Sequence, residues 1–117
     1  MENKAGGASF TMEVELQGGV AVVRCHGRLV AGVSDRLYGR VKQLIPDSKR
    51  IVLDLTDVQH MDSMGLGTLV RLYVSAKGAG CRVELINLGK RVRELLGMTN
   101  LLGVFTELGD KGISIRF

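Results

Sequence analysis

The chain has 117 residues, which is the length of one ordinary domain. Its hydrophobic fraction of 45% can form a core, and its charged fraction of 24% excludes the composition of a disordered chain. No apolar run approaches the roughly 20 residues that span a bilayer, so no membrane segment is expected. We therefore expect a cytoplasmic protein with a flexible tail at residues 1–8 and one domain over residues 9–117.

The cysteines and histidines give no sign of a metal or redox site. Cys25 and Cys81 match no metal-ligand or redox spacing, and the chain has only two histidines, His26 and His60. Each cysteine stands in an apolar, strand-like run, which is typical of a small buried side chain. We expect two free thiols, no metal and no cofactor.

Residues 10–26 predict a β-hairpin. Apolar and polar residues alternate from Phe10 to Gln17, which is the pattern of a strand with one buried face. Gly18-Gly19 then offers a two-residue turn, and an apolar run returns from Val20. In the register that this turn predicts, the facing pairs are apolar on both sides. These pairs are Leu16 with Ala21, Val14 with Val23, and Met12 with Cys25.

Helices and strands alternate in the middle of the chain. A helix with Ser34 as its N-cap ends before Pro46, and a nearly continuous apolar strand, Ile51–Leu55, follows. A second helix runs from about Met64 to Lys77 and has one apolar stripe and one polar side. The apolar stripe comprises Leu66, Leu69, Val70, Tyr73 and Val74, and the opposite side carries Thr68, Arg71 and Ser75.

The last third of the chain continues this alternation. A strand over Cys81–Asn87 precedes a short helix that ends near Gly97. A short strand, Val104–Glu107, follows, and Ile113–Phe117 alternates like an edge strand. Because strands separated by helices pair in parallel, the order predicts an α/β fold. We expect one mixed sheet of four to five strands with helices packed mainly on one face.

The junction between the buried strand and the second helix carries the most information. It reads Asp62-Ser63-Met64-Gly65-Leu66-Gly67, and partners usually meet an open parallel sheet at this end of its strands. Asp62 or Ser63 could serve only as the helix cap. Glycine in the first turns of a helix costs up to about 1 kcal/mol relative to alanine. The two glycines therefore indicate that another group comes close to the helix backbone there. No lysine follows them, so a phosphate-binding loop is not expected.

The same segment resembles the signature of STAS domains, the fold shared by bacterial anti-sigma factor antagonists and the tails of sulphate transporters. The resemblance covers about residues 10–106 and includes Gly27-Arg28-Leu29 after the second strand. Residues 92–101 are similar to the final helix and turn of the family. The resemblance implies a single STAS-like domain.

In antagonists of this family, the serine directly after the aspartate is the regulatory phosphorylation site, and Ser63 holds that position. The resemblance implies an anti-sigma factor with serine kinase activity as the partner, and this partner carries the ATP. Unmodified antagonist binds it and releases a sigma factor, whereas phosphorylation switches binding off and so regulates transcription. The implied partner-binding residues are Arg28, Leu29, Asp62, Ser63, Met64, Gly65, Leu66 and Gly67.

Other functions fit the sequence less well. A constitutive STAS adaptor in a larger assembly, of the stressosome or lipid-transport accessory type, would keep the fold without the switch. No Ser-His-acid or Cys-His set indicates an enzyme, so no catalytic residue is expected. Basic residues such as Arg36, Arg40 and Arg91 are typical of solvated helix faces, and five aromatic residues offer few stacking platforms for nucleic acid. We expect no nucleic-acid partner and a monomer or weak dimer.

Overall fold

The computed structural model of the protein describes residues 10–98, 106–107 and 114–116. The tail predicted at residues 1–8 lies outside these ranges, as do residues 104, 105, 113 and 117 of the two predicted C-terminal strands. The elements are β1 (Phe10–Gln17), β2 (Val20–Leu29), α1 (Ser34–Leu44), a 3-10 turn (Ile45–Asp47), β3 (Arg50–Met61), α2 (Ser63–Gly78), β4 (Arg82–Ile86), α3 (Lys90–Met98), β5 (Thr106–Glu107) and β6 (Ser114–Arg116).

One mixed sheet runs through the described residues, in the order β1-β2-β3-β4-β6-β5. The strands β2, β3 and β4 pair in parallel, and the remaining pairs are antiparallel. The predicted α/β class with a mixed sheet is confirmed, with β5 and β6 as short additions to four longer strands. The prediction of an edge position for the last strand is wrong, because β6 lies between β4 and β5. An alternation of apolar and polar residues predicts a strand, but it does not predict which strands lie beside it.

The predicted hairpin register is confirmed at every named pair. Leu16 faces Ala21, Val14 faces Val23, and Met12 faces Cys25. Gly18 and Gly19 form the turn with φ values of 56° and 84°. Both values lie in the left-handed region, which glycine adopts without strain and which two-residue hairpin turns require.

The strand β3 is longer than its apolar run indicated. The predicted strand ends at Leu55, whereas β3 continues to Met61 and pairs with β2 over its whole length. Two register shifts interrupt this pairing, between Arg24 and His26 and between Gly27 and Arg28. In the extension Val58 and Met61 are buried and the residues around them are exposed or partly exposed, so its polar residues do not prevent pairing. It therefore delivers the chain directly to the start of α2.

A single core cluster lies between the sheet and the three helices. Strand residues such as Val23, Leu53 and Leu85 are fully or almost fully buried in it. Leu37 of α1 and Val92 of α3 join the same cluster, so the helices cover one face of the sheet, as predicted. Burial of each such side chain stabilises the fold by roughly 1.5–3 kcal/mol. No helix among the described residues has the length and apolar character to cross a membrane.

The start of α1 differs from its prediction. Val33 is the N-cap residue and makes no side-chain cap bond, while Ser34 is the first helical residue and is buried. The entry is held by the backbone, because the amide groups of Val33 and Ser34 both donate to the Val30 carbonyl. The prediction that Ser34 caps α1 is therefore wrong, because Ser34 is the first helical residue and its side chain is buried.

The predicted apolar stripe of α2 is also partly wrong. Thr68 is only 1% exposed, and Leu72, which the stripe left out, is fully buried. In contrast, Val74 is 62% exposed. The helix is apolar on more than one side, so periodicity alone could not select the side that faces the core. Leu66 and Leu69 do face the core as predicted.

The face of the sheet opposite the helices carries charged pairs across neighbouring strands. Arg24 pairs with Glu15 at 2.8 Å. His26 lies between Glu13 at 3.3 Å and Asp57 at 2.8 Å, and its pKa is raised, chiefly by the hydrogen bond to Glu13. Such cross-strand pairs fix the register on the polar side of the sheet, as apolar pairs do on the core side.

One acidic group on this face is buried. The Glu84 side chain is 1% exposed, and its carboxylate contacts one arginine of β3 and one of β4. Arg50 Nη2 lies 2.8 Å from Oε1, and Arg82 Nη2 lies 3.4 Å from Oε2. A buried carboxylate needs such partners, because its ionised form is otherwise strongly disfavoured.

Candidate functional site

The candidate site lies where β2 and β3 end side by side. The last residues of the two strands, Leu29 and Met61, are register partners. The loop after Leu29 leads into α1, and α2 begins two residues after Met61. The amide of Asp62 donates to the Leu29 carbonyl at 3.4 Å. The loop and the start of α2 therefore form one continuous surface at the carboxyl end of the parallel strands.

The Asp62 carboxylate joins these two segments. Its Oδ1 accepts hydrogen bonds from the amides of Met64 at 2.9 Å and Gly65 at 3.0 Å, which makes Asp62 the N-cap of α2. Its Oδ2 accepts a third bond, from the Ala31 amide in the loop, at 3.0 Å. Asp62 thus caps the helix and latches the loop onto it. Of the two residues considered as caps, Asp62 has this role.

The electrostatics favour the ionised form of Asp62. Partial burial raises the pKa of Asp62. The hydrogen bonds from the amides of Ala31, Gly65 and Met64 together lower it by more, so the pKa lies below its ordinary value. The positive end of the α2 dipole favours a carboxylate at the same place. The latch is therefore charged at neutral pH.

Removal of the latch should weaken the fold in a pH-dependent way. We expect Asp62→Ala to lower the free energy of unfolding by about 1–2 kcal/mol at neutral pH, the usual cost of a lost cap. Because the folded-state pKa is depressed, this stability is present above the unfolded pKa of about 3.9 and is lost as pH falls through the folded value. Urea denaturation of both proteins at pH 7 and in strong acid measures the difference.

Two further variants separate the cap from the latch. Asp62→Asn keeps a cap oxygen, but its amide group cannot accept from both sides of the site, so the Ala31 bond is lost. Asp62→Ser also caps the helix with a shorter side chain. Both should fall between wild type and Asp62→Ala. Equal unfolding free energies for wild type and Asp62→Ala at pH 7 would show that Asp62 contributes nothing.

Ser63 is the first residue of α2 and is exposed. Among the described residues, none forms a hydrogen bond with its hydroxyl, because the helix amides that a capping serine would bind are taken by Asp62. Met64 beside it is 56% exposed. The serine therefore places an exposed hydroxyl next to an exposed apolar side chain.

The two glycines of the motif have different surroundings. A Cβ on Gly65 would collide with the Leu29 carbonyl oxygen and lie 2.9 Å from the Met61 side chain, so the fold itself requires glycine there. A Cβ on Gly67 would meet nothing within 4 Å. Only Gly67 therefore has no explanation inside the domain.

The structure sorts the predicted partner-binding residues into two groups. Arg28, Ser63 and Met64 are exposed, and Asp62 and Gly67 are partly exposed. Leu29, Gly65 and Leu66 are buried, so their side chains support the surface from below. The contribution of the Ala31 amide was not predicted, because a backbone donor leaves no signal in the sequence.

The described residues offer little for metal or thiol chemistry. No group of three or more potential ligands gathers among them. Cys25 and Cys81 are buried free thiols, as predicted. Burial raises the pKa of Cys25 to about 12, which disfavours the reactive thiolate.

Solved structures with the same fold include several anti-sigma factor antagonists. An anti-sigma factor antagonist from Mycobacterium paratuberculosis superposes with a TM-score of 0.76 at 24% identity, over 87% of each chain. The anti-sigma factor antagonist SpoIIAA in its unphosphorylated form gives 0.69 at 19% identity, over 78% of this chain and 82% of that one. The phosphorylated form of SpoIIAA from Bacillus superposes with a TM-score of 0.67 at 16% identity, over 86% of this chain and 94% of that one.

Sequence comparison extends this similarity. The chain is 30% identical over 98 residues to the anti-sigma F factor antagonist of Paenibacillus polymyxa, covering 82% of this chain and 84% of that protein. The profile of the STAS domain family matches residues 11–111. The chain therefore belongs to the STAS domain family.

Proposed function

We propose that the protein is an anti-sigma factor antagonist whose binding is switched by phosphorylation of Ser63. The observation that carries the proposal is the exposed Ser63 hydroxyl at the start of α2, which has no hydrogen-bond partner among the described residues and lies on the surface formed with the β2–α1 loop. Relatives named as anti-sigma factor antagonists support the same function. The protein acts by binding rather than by catalysis.

The partner in this proposal is an anti-sigma factor with serine kinase activity. It supplies the ATP, and the antagonist supplies the hydroxyl. In the unmodified state the exposed residues Arg28, Ser63 and Met64 contact this partner, and a sigma factor is released. The solved SpoIIAA structures in unphosphorylated and phosphorylated forms support a switch of this kind.

The local geometry indicates where phosphorylation acts. A phosphate on Ser63 adds about −1.5 to −2 charges at pH 7. The helix dipole favours that charge, but Asp62 already occupies the amides of Met64 and Gly65 and is itself negative. The phosphate therefore gains little from the domain and projects towards the partner. We infer that phosphorylation changes the interface more than the fold.

The test is a titration of purified anti-sigma serine kinases from the source genome with three proteins. Wild type and Ser63→Ala should bind one of them with similar affinity. Ser63→Asp should bind it at least roughly tenfold more weakly, because the added charge is desolvated at the interface. Incubation with ATP and magnesium should phosphorylate wild type and leave Ser63→Ala unmodified.

Two outcomes would contradict the proposal. Equal affinities for all three proteins would make Ser63 irrelevant to binding and favour a constitutive adaptor. Phosphate transfer to Ser63→Ala would place the modified residue elsewhere. Thermal unfolding of the three variants serves as the control, because Ser63 is exposed and its replacement should not affect the core.

A further inference from the structure

The outer side of α2 carries apolar side chains where a surface helix usually carries polar ones. Val74 is 62% exposed and Met64 is 56% exposed, whereas Val70 is partly buried and packs with one side against the domain's own core. The inner side of the helix, with Leu69 and Leu72, is fully buried. Val74 and Met64 are therefore the apolar side chains that α2 exposes to solvent.

Helical geometry places part of this apolar surface in line with Ser63. Ser63, Gly67, Val70 and Val74 follow one another at intervals of four, three and four residues, so they share one side of α2. We call these four residues the outer stripe. At 1.5 Å per residue, the outer stripe extends about 16 Å from the serine.

Gly67 gives this stripe a close point of approach. Open space surrounds the position, so the domain's own packing does not require glycine there. Glycine inside a helix costs up to about 1 kcal/mol relative to alanine. Gly39 of α1 and Gly97 of α3 have the same open surroundings, so Gly67 allows a second chain to approach the backbone but does not alone require one.

Basic groups border the outer stripe. The Arg71 guanidinium lies 4.0 Å from the centroid of the Tyr38 ring of α1, and the Lys42 ammonium lies 5.7 Å from the same ring. Lys77 lies on the other side of the outer stripe, over the Tyr73 ring, and the sequence from Ser63 to Gly78 contains no acidic residue. Asp35 pairs with Arg71 at 3.7 Å, but both side chains are exposed and the pair is weak.

We propose that the outer stripe is the docking surface for an amphipathic, acidic helix of the protein partner. Apolar residues of that helix would pack on Val70 and Val74, and its acidic residues would face the basic groups that border the stripe. The inference rests on the proposed function, because the docked helix would pass beside Ser63. It also supplies a cause for the switch, since a phosphate on Ser63 would repel an acidic helix.

The test compares two exposed apolar residues on different elements, Val74 of α2 and Leu16 of β1. Val74→Glu places a negative charge on the outer stripe, whereas Leu16→Glu places one near the hairpin turn, where the side chain is 67% exposed. The probe is the anti-sigma kinase that wild type binds. Val74→Glu should weaken binding at least roughly tenfold and Leu16→Glu by less than about twofold. Raising the salt concentration should weaken wild-type binding.

The outcomes separate this inference from the proposed function. If Ser63→Asp loses binding while Val74→Glu binds like Leu16→Glu, the outer stripe is not the docking surface and the switch stands. If no kinase binds wild type, both fail. Binding of a DNA duplex that Arg71→Ala weakens would assign the bordering basic groups to nucleic acid and overturn the inference. Thermal unfolding should show both glutamate variants folded, since each replaced side chain is exposed.

Discussion

Gly65→Ala should lower the free energy of unfolding by about 3 kcal/mol, the cost of forcing an extra methyl group into a closely packed site. The new Cβ would collide with the Leu29 carbonyl oxygen, which belongs to the backbone of β2. A side chain could rotate away, but this oxygen moves only if α2 and β2 separate. Such a movement would also disturb the Asp62 latch, because its partner Ala31 follows Leu29 closely.

The same substitution two residues later provides the control. Gly67→Ala meets open space and should raise the free energy of unfolding by up to about 1 kcal/mol, because alanine favours the helix. Urea denaturation at pH 7 measures both changes. Equal effects, or a stable Gly65→Ala variant, would show that α2 does not pack against Leu29 as described.

Arg50→Ala should lower the free energy of unfolding by about 2 kcal/mol, because it removes the nearer partner of a buried carboxylate. Glu84 is 1% exposed and pairs with Arg50 at 2.8 Å. The loss is smaller than for an isolated buried charge, because Arg82 remains 3.4 Å from the other carboxylate oxygen. The effect should therefore be larger than that of breaking any exposed pair on the same face.

Two further variants test this explanation. Arg24→Ala removes an exposed partner of Glu15 and should change stability little. A double variant, Arg50→Met with Glu84→Met, replaces the buried carboxylate and its partly exposed partner with apolar groups and should recover most of the loss. If Arg50→Ala and Arg24→Ala have the same effect in urea denaturation, the burial of Glu84 has no special role.

The hairpin could be predicted because two independent local signals agree. Alternation from Phe10 to Gln17 defines the buried face, and Gly18-Gly19 supplies the turn that sets the register. The end of β3 could not be predicted in the same way. Its apolar run stops at Leu55, and the pairing beyond that point depends on the neighbouring strand β2.

The candidate site shows the same division. The sequence places Asp62, Ser63 and the glycines at a strand-to-helix junction, and the structure has them there. It cannot show that Gly65 packs on a carbonyl of β2 or that Asp62 binds the Ala31 amide, because both contacts join segments about thirty residues apart. The side of α2 that faces solvent depends likewise on how α1 and the sheet hold the helix.

The latch between the β2–α1 loop and α2 uses only main-chain groups of the loop. Asp62 binds the amide of Ala31, and the carbonyl of Leu29 receives the amide of Asp62. Side chains beside the latch, such as that of Arg28 in β2, take no part in these bonds, so they can be exchanged during evolution while the serine keeps its position. Under the proposed function, duplicated copies of such a gene diverge in partner choice through these side chains alone, provided that the aspartate and Gly65 are inherited together.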